Sequence, residues 1–410
     1  MSQFKRRDFL KTTAALGIAS LATPAIRPAM AQGGAIKIGV LNDQSALYAD
    51  LGGQGSVIAA RMAVEEMGGR IGNTPIEVVF ADHQNRADTG STIARQWFDR
   101  DGVNMIADVP NSAVALAVNQ VVRDKNGVFV ASGPATADLT GRACSPNTVH
   151  WTYDNWALAN GTARAIVAAG GRTWFFLTAD YAFGHDLEAQ VAAVVRAAGG
   201  EVLGAVRHPL NTADFSSFLL QAQRSRANII GLANAGGDTV NSIKQAAEFG
   251  IMRRGQKLAG LLIFLTDIHA LGLTITQGLQ FTEAFYWDLN DNTRTWSTRF
   301  AERNGGKKPT MVQAGVYAGT LHYLKAVQQA GSANDGAKVV QAMKALPTSD
   351  LCFGQGSIRR DGRKLHDMYL FEAKAPNESR GEWDYYKLVR TIPAAEAFRP
   401  LAEGNCSIAG

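Results

Sequence analysis

From residue 35 onward, short apolar runs alternate with stretches whose apolar residues recur at helical spacing. Ile36, Ile38, Val40 and Leu41 open the series, and residues 55–68 follow with Val57, Ile58, Met62 and Val64 on one side. The pattern continues with strand-like 76–80, helical 88–99, strand-like 105–107, helical 112–124 and the apolar run 128–131. After residue 156 the rhythm restarts. Residues 156–169, 185–198, 215–224 and 238–249 read as helices between strand-like 173–177, 201–203, 228–232 and 258–264. Alternation at this spacing predicts an α/β fold with two doubly wound parallel-sheet lobes, helices covering both faces of each sheet. Residues 278–287 read as a return to the first lobe, followed by helices over 294–303, 311–330 and 336–345. Residues 356–363 and 366–374 read as a hairpin about Asp361-Gly362. These runs predict one lobe from 35–148 plus 279–348, and a second from 149–278 plus 349–410 with the tail. No tandem repeat or low-complexity tract interrupts the series.

The stretch 127–154 joins the two halves. Its apolar run Val128 to Ala131 is that of a strand buried on both faces, and it ends in Ser132-Gly133-Pro134-Ala135-Thr136. Small residues at the carboxyl end of a parallel strand let a ligand approach the backbone. Gly141, Pro146 and Asn147 then break the pattern before the aromatic cluster Trp151, Tyr153 and Trp156. The alternative is an ordinary strand-to-helix loop.

The first 31 residues stand outside this fold. Lys5-Arg6-Arg7-Asp8-Phe9-Leu10-Lys11, the apolar stretch 14–22 and the small-residue site Ala29-Met30-Ala31 form a twin-arginine export signal. The apolar stretch is too short for a membrane span, and no Cys follows the small residues to take a lipid. Removing the signal takes away five basic residues and one acid, so the formal charge falls from +5 to about +1. The basic pI therefore belongs mainly to the signal and gives no reason to expect nucleic acid or membrane as a partner. The mature protein is expected in the periplasm, as a monomer.

Export into an oxidising compartment permits one bridge among Cys144, Cys352 and Cys406. Spacing does not choose the pair. Cys144–Cys406 would pin the tail to the inter-lobe crossing, and Cys352–Cys406 is the second choice. With no C-x-x-C, no H-E-x-x-H and seven scattered His, no metal and no cofactor are expected.

At this level the chain resembles the type I extracytoplasmic solute-binding proteins of ATP-driven importers, the leucine/isoleucine/valine-binding-protein-like group. The resemblance rests on Ile38-Gly39-Val40-Leu41 with Gly52 and Gly55, on residues 133–140, on Ala179-Asp180-Tyr181-Ala182-Phe183-Gly184 and on Gly315-Val316-Tyr317-Ala318. It implies three crossings between lobes that close on a ligand, and an inner-membrane ABC permease as partner. It also implies that a loop hydroxyl and backbone N–H groups of the first lobe hold a ligand carboxylate.

The matching positions are Asn111 and Ser112 with Pro134, Ala135 and Thr136. A helix N-terminus offers unpaired N–H groups and a positive dipole end, which suits an anion without a full cation. Ser112 also reads as a routine helix cap, and Asp138 or Thr140 could take over the turn work of Thr136. Tyr48, Trp151, Tyr153, Tyr181, Phe183 and one of Phe285 and Tyr286 are candidate cleft aromatics, Tyr181 foremost; core packing is the alternative use of such rings. An amino-acid ligand would need an acid for its ammonium group, for which Asp238 and Asp267 are the nearest matches to the family pattern. Asp238 also reads as a cap for the following helix. An aromatic or short-chain carboxylate needs no such acid.

An exported α/β enzyme is the competing class. There is no G-x-S-x-G, and Gly53-Gln54-Gly55 lacks the third glycine of a dinucleotide fingerprint. Asp180 with His185 reads as a surface pair. A periplasmic sensor of the same fold is a further alternative, since it would bind its ligand in the same way.

Overall fold

A computed structural model describes residues 34–409 of the chain; the export signal expected over residues 1–31 lies outside the described residues. Sixteen strands are described. In chain order they are β1 (Ile36–Asn42), β2 (Arg70–Ile71), β3 (Thr74–Asp82), β4 (Val103–Asp108), β5 (Val128–Ala131), β6 (Thr148–His150), β7 (Thr173–Ala179) and β8 (Glu201–His208). They continue with β9 (Ile229–Ala233), β10 (Lys257–Gly260), β11 (Gln280–Glu283), β12 (Thr348–Asp350), β13 (Gly354–Ile358), β14 (Lys364–Leu365), β15 (Met368–Ala373) and β16 (Tyr386–Ile392). The helices are α1 (Gly53–Glu66), α2 (Ala87–Gln96), α3 (Ser112–Asp124), α4 (Asn155–Leu158), α5 (Arg164–Ala168), α6 (Ala182–Ala197) and α7 (Ser216–Arg224). After them come α8 (Gly237–Glu248), α9 (Leu265–Leu271), α10 (Leu273–Thr276), α11 (Asp291–Arg303), α12 (Met311–Ala330), α13 (Gly336–Ala345) and α14 (Ala394–Ala397).

The first lobe is a six-stranded sheet in the order β2-β3-β1-β4-β5-β6, parallel except for the short β2. Its central strands read as continuous apolar runs because both faces are covered. Helices α2 and α3 pack together over one face; α1 and α12 pack together over the other. The second lobe carries a parallel sheet in the order β10-β9-β7-β8. Beside it lies the antiparallel sheet β11-β15-β16. No described helix is long and apolar enough to cross a membrane.

Several expectations shift. The run 258–264 is not one strand: β10 ends at Gly260, and residues 261–264 leave the sheet toward the space between the lobes. Gln280–Glu283 pairs with Met368–Ala373, and Phe281 sits in the second lobe's core, so the return begins later than residue 279. Phe285 rejoins the first lobe against Trp296, and Tyr286 donates to the carbonyl of Trp383. Both rings are buried, where alternation had sent only one inward. The hairpin about Asp361-Gly362 joins β13 to β14, while Met368–Ala373 pairs elsewhere. Residues 348–365 pack beside α12 and α13, so the boundary expected at 349 falls nearer 366.

The crossings are tied to each other. Arg363, wholly buried, donates to the carbonyl of Tyr153 at 3.1 Å and lies 3.5 Å from the Asp154 carboxylate. His366 Nε2 lies 2.9 Å from the carbonyl of Thr152. A disulfide joins Cys144 to Cys406, while Cys352 is buried and free.

Candidate functional site

The carboxyl ends of both parallel sheets face each other across a narrow cavity. Its wall is built from loops immediately before five helix N-termini. Leu51 precedes α1, Pro110 precedes α3, Tyr181 precedes α6, Ala235 precedes α8 and Phe264 precedes α9. Tyr48, Gly133, Ala135, Tyr153, Phe183 and Leu262 complete the lining. No Lys, Arg or His contributes to it.

Local sequence explains these positions. Asp43 gathers the backbone N–H groups of Ala46 (2.8 Å) and Tyr48 (2.8 Å), folding residues 43–48 into the loop that carries Tyr48. Gly184 lets α6 start directly over the carbonyl of Ala179, which a Cβ would strike. That tight turn sets Tyr181 at the cleft. The hydroxyls of Tyr48 and Tyr181 meet across the lobes at 2.6 Å. Burial is the main reason both phenols are held well above their ordinary range. Tyr153, on the first crossing, donates its hydroxyl to the carbonyl of Gly133 at 2.5 Å and meets the Phe264 ring edge-on.

Two further contacts bridge the lobes. The N–H of Gly237 reaches the carbonyl of Leu47 at 3.3 Å. The Asp186 carboxylate on α6 accepts from the N–H of Ala137 at 3.0 Å and from Asn155 at 2.8 Å.

Of the residues singled out in the sequence, Tyr48, Ala135, Tyr153, Tyr181 and Phe183 meet at this cavity. Asn111, not Ser112, caps α3, accepting from the N–H groups of Ala113 and Val114. Ser112 is the first helical residue, and its buried hydroxyl has no protein partner. Thr136 does the turn work itself, accepting from the N–H of Asp138 at 3.3 Å. The Pro134 carbonyl takes the ring of His150. Asn111, Ser112, Pro134 and Thr136 thus border the lining without belonging to it. Trp151 is not a cleft residue; it packs in the core beside His322.

Asp238 is not the cap of α8, a position held by Gly236. One of its oxygens accepts from the N–H of Thr212 at 2.9 Å, and the other, buried, has no protein partner. Asp238 and Asp267 line a second hollow at the mouth of the cleft, with Leu47, Asp50, Thr212 and Thr266. Asp267 reaches back to the N–H of Phe264 at 2.9 Å, fixing the start of α9. Burial raises both carboxyls, to about 7 in each case. Asp180 and His185 form an exposed pair at 2.8 Å.

Sequence reasoning missed Leu51, Pro110, Ala235, Leu262 and Phe264. Gly133, in the small-residue stretch read as open to a ligand, does line the cavity. Among the described residues no group of three or more His, Cys, Asp or Glu is arranged to hold a metal.

Comparison with known proteins points the same way as the geometry. The profile of a family described as periplasmic binding protein matches residues 35–381. A periplasmic binding protein from Burkholderia mallei is 51% identical, with 92% of this chain and 99% of that one aligned and a TM-score of 0.89. A branched-chain amino acid ABC transporter periplasmic ligand-binding protein from Burkholderia xenovorans LB400 is 40% identical over 92% of this chain and 100% of that one, with a TM-score of 0.81. The Leu/Ile/Val-binding protein homolog 6 of Brucella melitensis is 26% identical over 88% of this chain and 93% of its own length.

Proposed function

The chain belongs to the periplasmic binding protein family, and from that premise we propose that it is the solute-binding subunit of an ATP-driven importer, capturing a small carboxylate by closure of its lobes. The observation that carries the reading is the convergence of five helix N-termini on a cavity whose lining has no cationic side chain. N-terminal N–H groups and helix dipoles favour an anion, and in a site without water their effect is strengthened. The rings of Tyr48, Tyr153, Tyr181, Phe183 and Phe264 suit an apolar body, aromatic or branched aliphatic. Ser112, with its unpartnered hydroxyl, and the N–H groups of Ala135 and Thr136 are the proposed carboxylate contacts.

A second reading, an amino acid, is favoured by the unpartnered oxygen of Asp238 at the cleft mouth. The description of the Burkholderia xenovorans relative supports it. Asp267 is the less suited of the two acids, since its carboxylate is engaged by Phe264.

Capture works by population shift. Contacts to both lobes stabilise the closed form, and the crossings at residues 151–154, 284–287 and 366–367 act as the hinge. The solute leaves chemically unchanged, delivered by the closed, monomeric protein to a membrane permease in the periplasm, which it reaches by the twin-arginine route. A thermal-shift screen of benzoate, short-chain aliphatic acids and amino acids, with their primary amides and neutral sugars alongside, tests this, because a ligand that binds only the native state raises its melting temperature. Stabilisation by at least one carboxylate is expected. Stabilisation only by solutes that lack a carboxylate contradicts the proposal.

A further inference from the structure

Asp108, at the end of β4, is wholly buried beneath the cleft and plays no part in the contacts above. One oxygen, Oδ2, accepts from Asn42 Nδ2 at 2.9 Å, and the same amide donates to the carbonyl of Gly53 at 3.0 Å. A Cβ on Gly52, at the start of α1, would lie 3.0 Å from Oδ2, so the carboxyl sits against that helix N-terminus. The other oxygen, Oδ1, has no partner. It lies under Gly133, where a Cβ would come within 2.6 Å of it and within 2.7 Å of the Pro110 backbone. Gly133 and Pro110 are both lining residues. Asp108 and Val109 also take left-handed backbone angles, φ 79° and 59°, the second unusual for a β-branched residue. The carboxyl thus lies directly beneath the turn that presents Pro110 to Ser112.

We propose that Asp108 sets the charge preference of the cleft, supporting anion capture as an uncharged acid and opposing it once ionised. The inference rests on the reading that the solute is an anion. The groups packed against Asp108 are Asn42 of β1, Ser56 of α1, Gly133 after β5 and Tyr153 of the first crossing, and none supplies a positive charge. Tyr153 is the titratable one, its phenol pushed up by burial and then by Asp108. Burial raises the Asp108 carboxyl to about 6, against which the Ser56 and Asn42 contacts act only partly. Below that pH the proton relieves the cost of burying the acid; above it, a buried negative charge faces the Gly133 peptide with Oδ1 unpaired. Asp238 and Asp267 also titrate near the cleft, from the second lobe.

The test compares the full mature protein with Asp108→Asn, which keeps the shape and cannot ionise, and with Asp238→Asn as the control for the other lobe. Carboxyl carbon NMR titration needs no ligand. A resonance with its midpoint near 6 in the parent, missing from Asp108→Asn, is expected, and an Asp108 already ionised at pH 5 overturns the proposal. Calorimetry with benzoate as probe is then run at pH 5.5 and 8. The parent is expected to weaken roughly tenfold or more, and Asp108→Asn to change much less; equal weakening in the two proteins overturns the proposal. Should Asp108→Asn not fold, Asp108→Ser takes its place in both measurements. If none of the screened carboxylates binds either protein while the resonance still titrates near 6, the anion reading fails and the ionisation of Asp108 stands.

Discussion

The hydroxyl of Tyr48, on the first lobe, lies 2.6 Å from that of Tyr181, on the second. This hydrogen bond joins the lobes at the cavity wall, so it exists only when they are closed. Tyr48→Phe and Tyr181→Phe each remove it while keeping the rings. Each variant is expected to weaken ligand binding by roughly 0.5–1.5 kcal/mol. The double variant should lose little more than either single one, because both remove the same bond. Calorimetric titration of the four proteins checks this, and fully additive losses would show that the hydroxyls act separately.

Gly236 is a second closure element. Its φ is 58°, and a Cβ there would lie 2.5 Å from the Leu47 carbonyl across the cleft. Gly237, without that backbone demand, would place a Cβ 3.1 Å from the Leu47 side chain. Gly237→Val is therefore expected to hinder closure while leaving the ligand-free protein within about 0.5 kcal/mol of the parent. Small-angle scattering with saturating ligand should give a larger radius of gyration for the variant. Identical compaction of the two proteins would remove Gly237 from the closure contact.

The alternation of runs made the layered α/β architecture legible, and with it the strand ends that carry Tyr48, Tyr181 and Phe183. What was hidden depended on which neighbour won a local competition. Asn111 and Ser112 can both cap a helix, and only the turn geometry at Val109 gives the role to Asn111. The run 258–264 looked like one strand because cleft-lining Leu262 and Phe264 are as apolar as strand residues. Asp108 carries no sequence signal, since its setting is made by residues from β1, α1 and the loop after β5.

Asp267 supplies a pH dependence of stability. Burial raises its carboxyl to about 7, whereas an unfolded Asp titrates near about 3.9. The folded state thus holds the proton more tightly, and stability falls as pH rises from about 4 through about 7. Asp267→Asn keeps an acceptor for the N–H of Phe264 but cannot ionise. It is expected to be more stable than the parent at pH 8 by roughly 1–3 kcal/mol, with the gap closing near pH 4. Urea unfolding at the two pH values measures both; a variant less stable than the parent at pH 8 would contradict it.

The Cys144–Cys406 disulfide closes a sequence separation of 262 residues and fastens the tail to the segment after β5. Loss of such a bond commonly costs about 2–4 kcal/mol, mainly through the unfolded chain. Cys406→Ser should lower the melting temperature by several degrees and leave ligand affinity nearly unchanged. Differential scanning calorimetry with and without ligand checks both parts, and an unchanged melting temperature would contradict the first.

The claim that main-chain dipoles hold an anion, with no cationic side chain in the wall, is tested most directly by one paired titration. The best-bound carboxylate and the primary amide of the same body are compared by calorimetry at pH 5.5, where Asp108 is still largely protonated. The amide preserves shape and apolar contacts, removes the charge and exchanges one acceptor oxygen for an N–H donor. Binding at least a hundredfold weaker for the amide, equivalent to about 2.7 kcal/mol, is the predicted result. Equal affinity for the two would contradict the account.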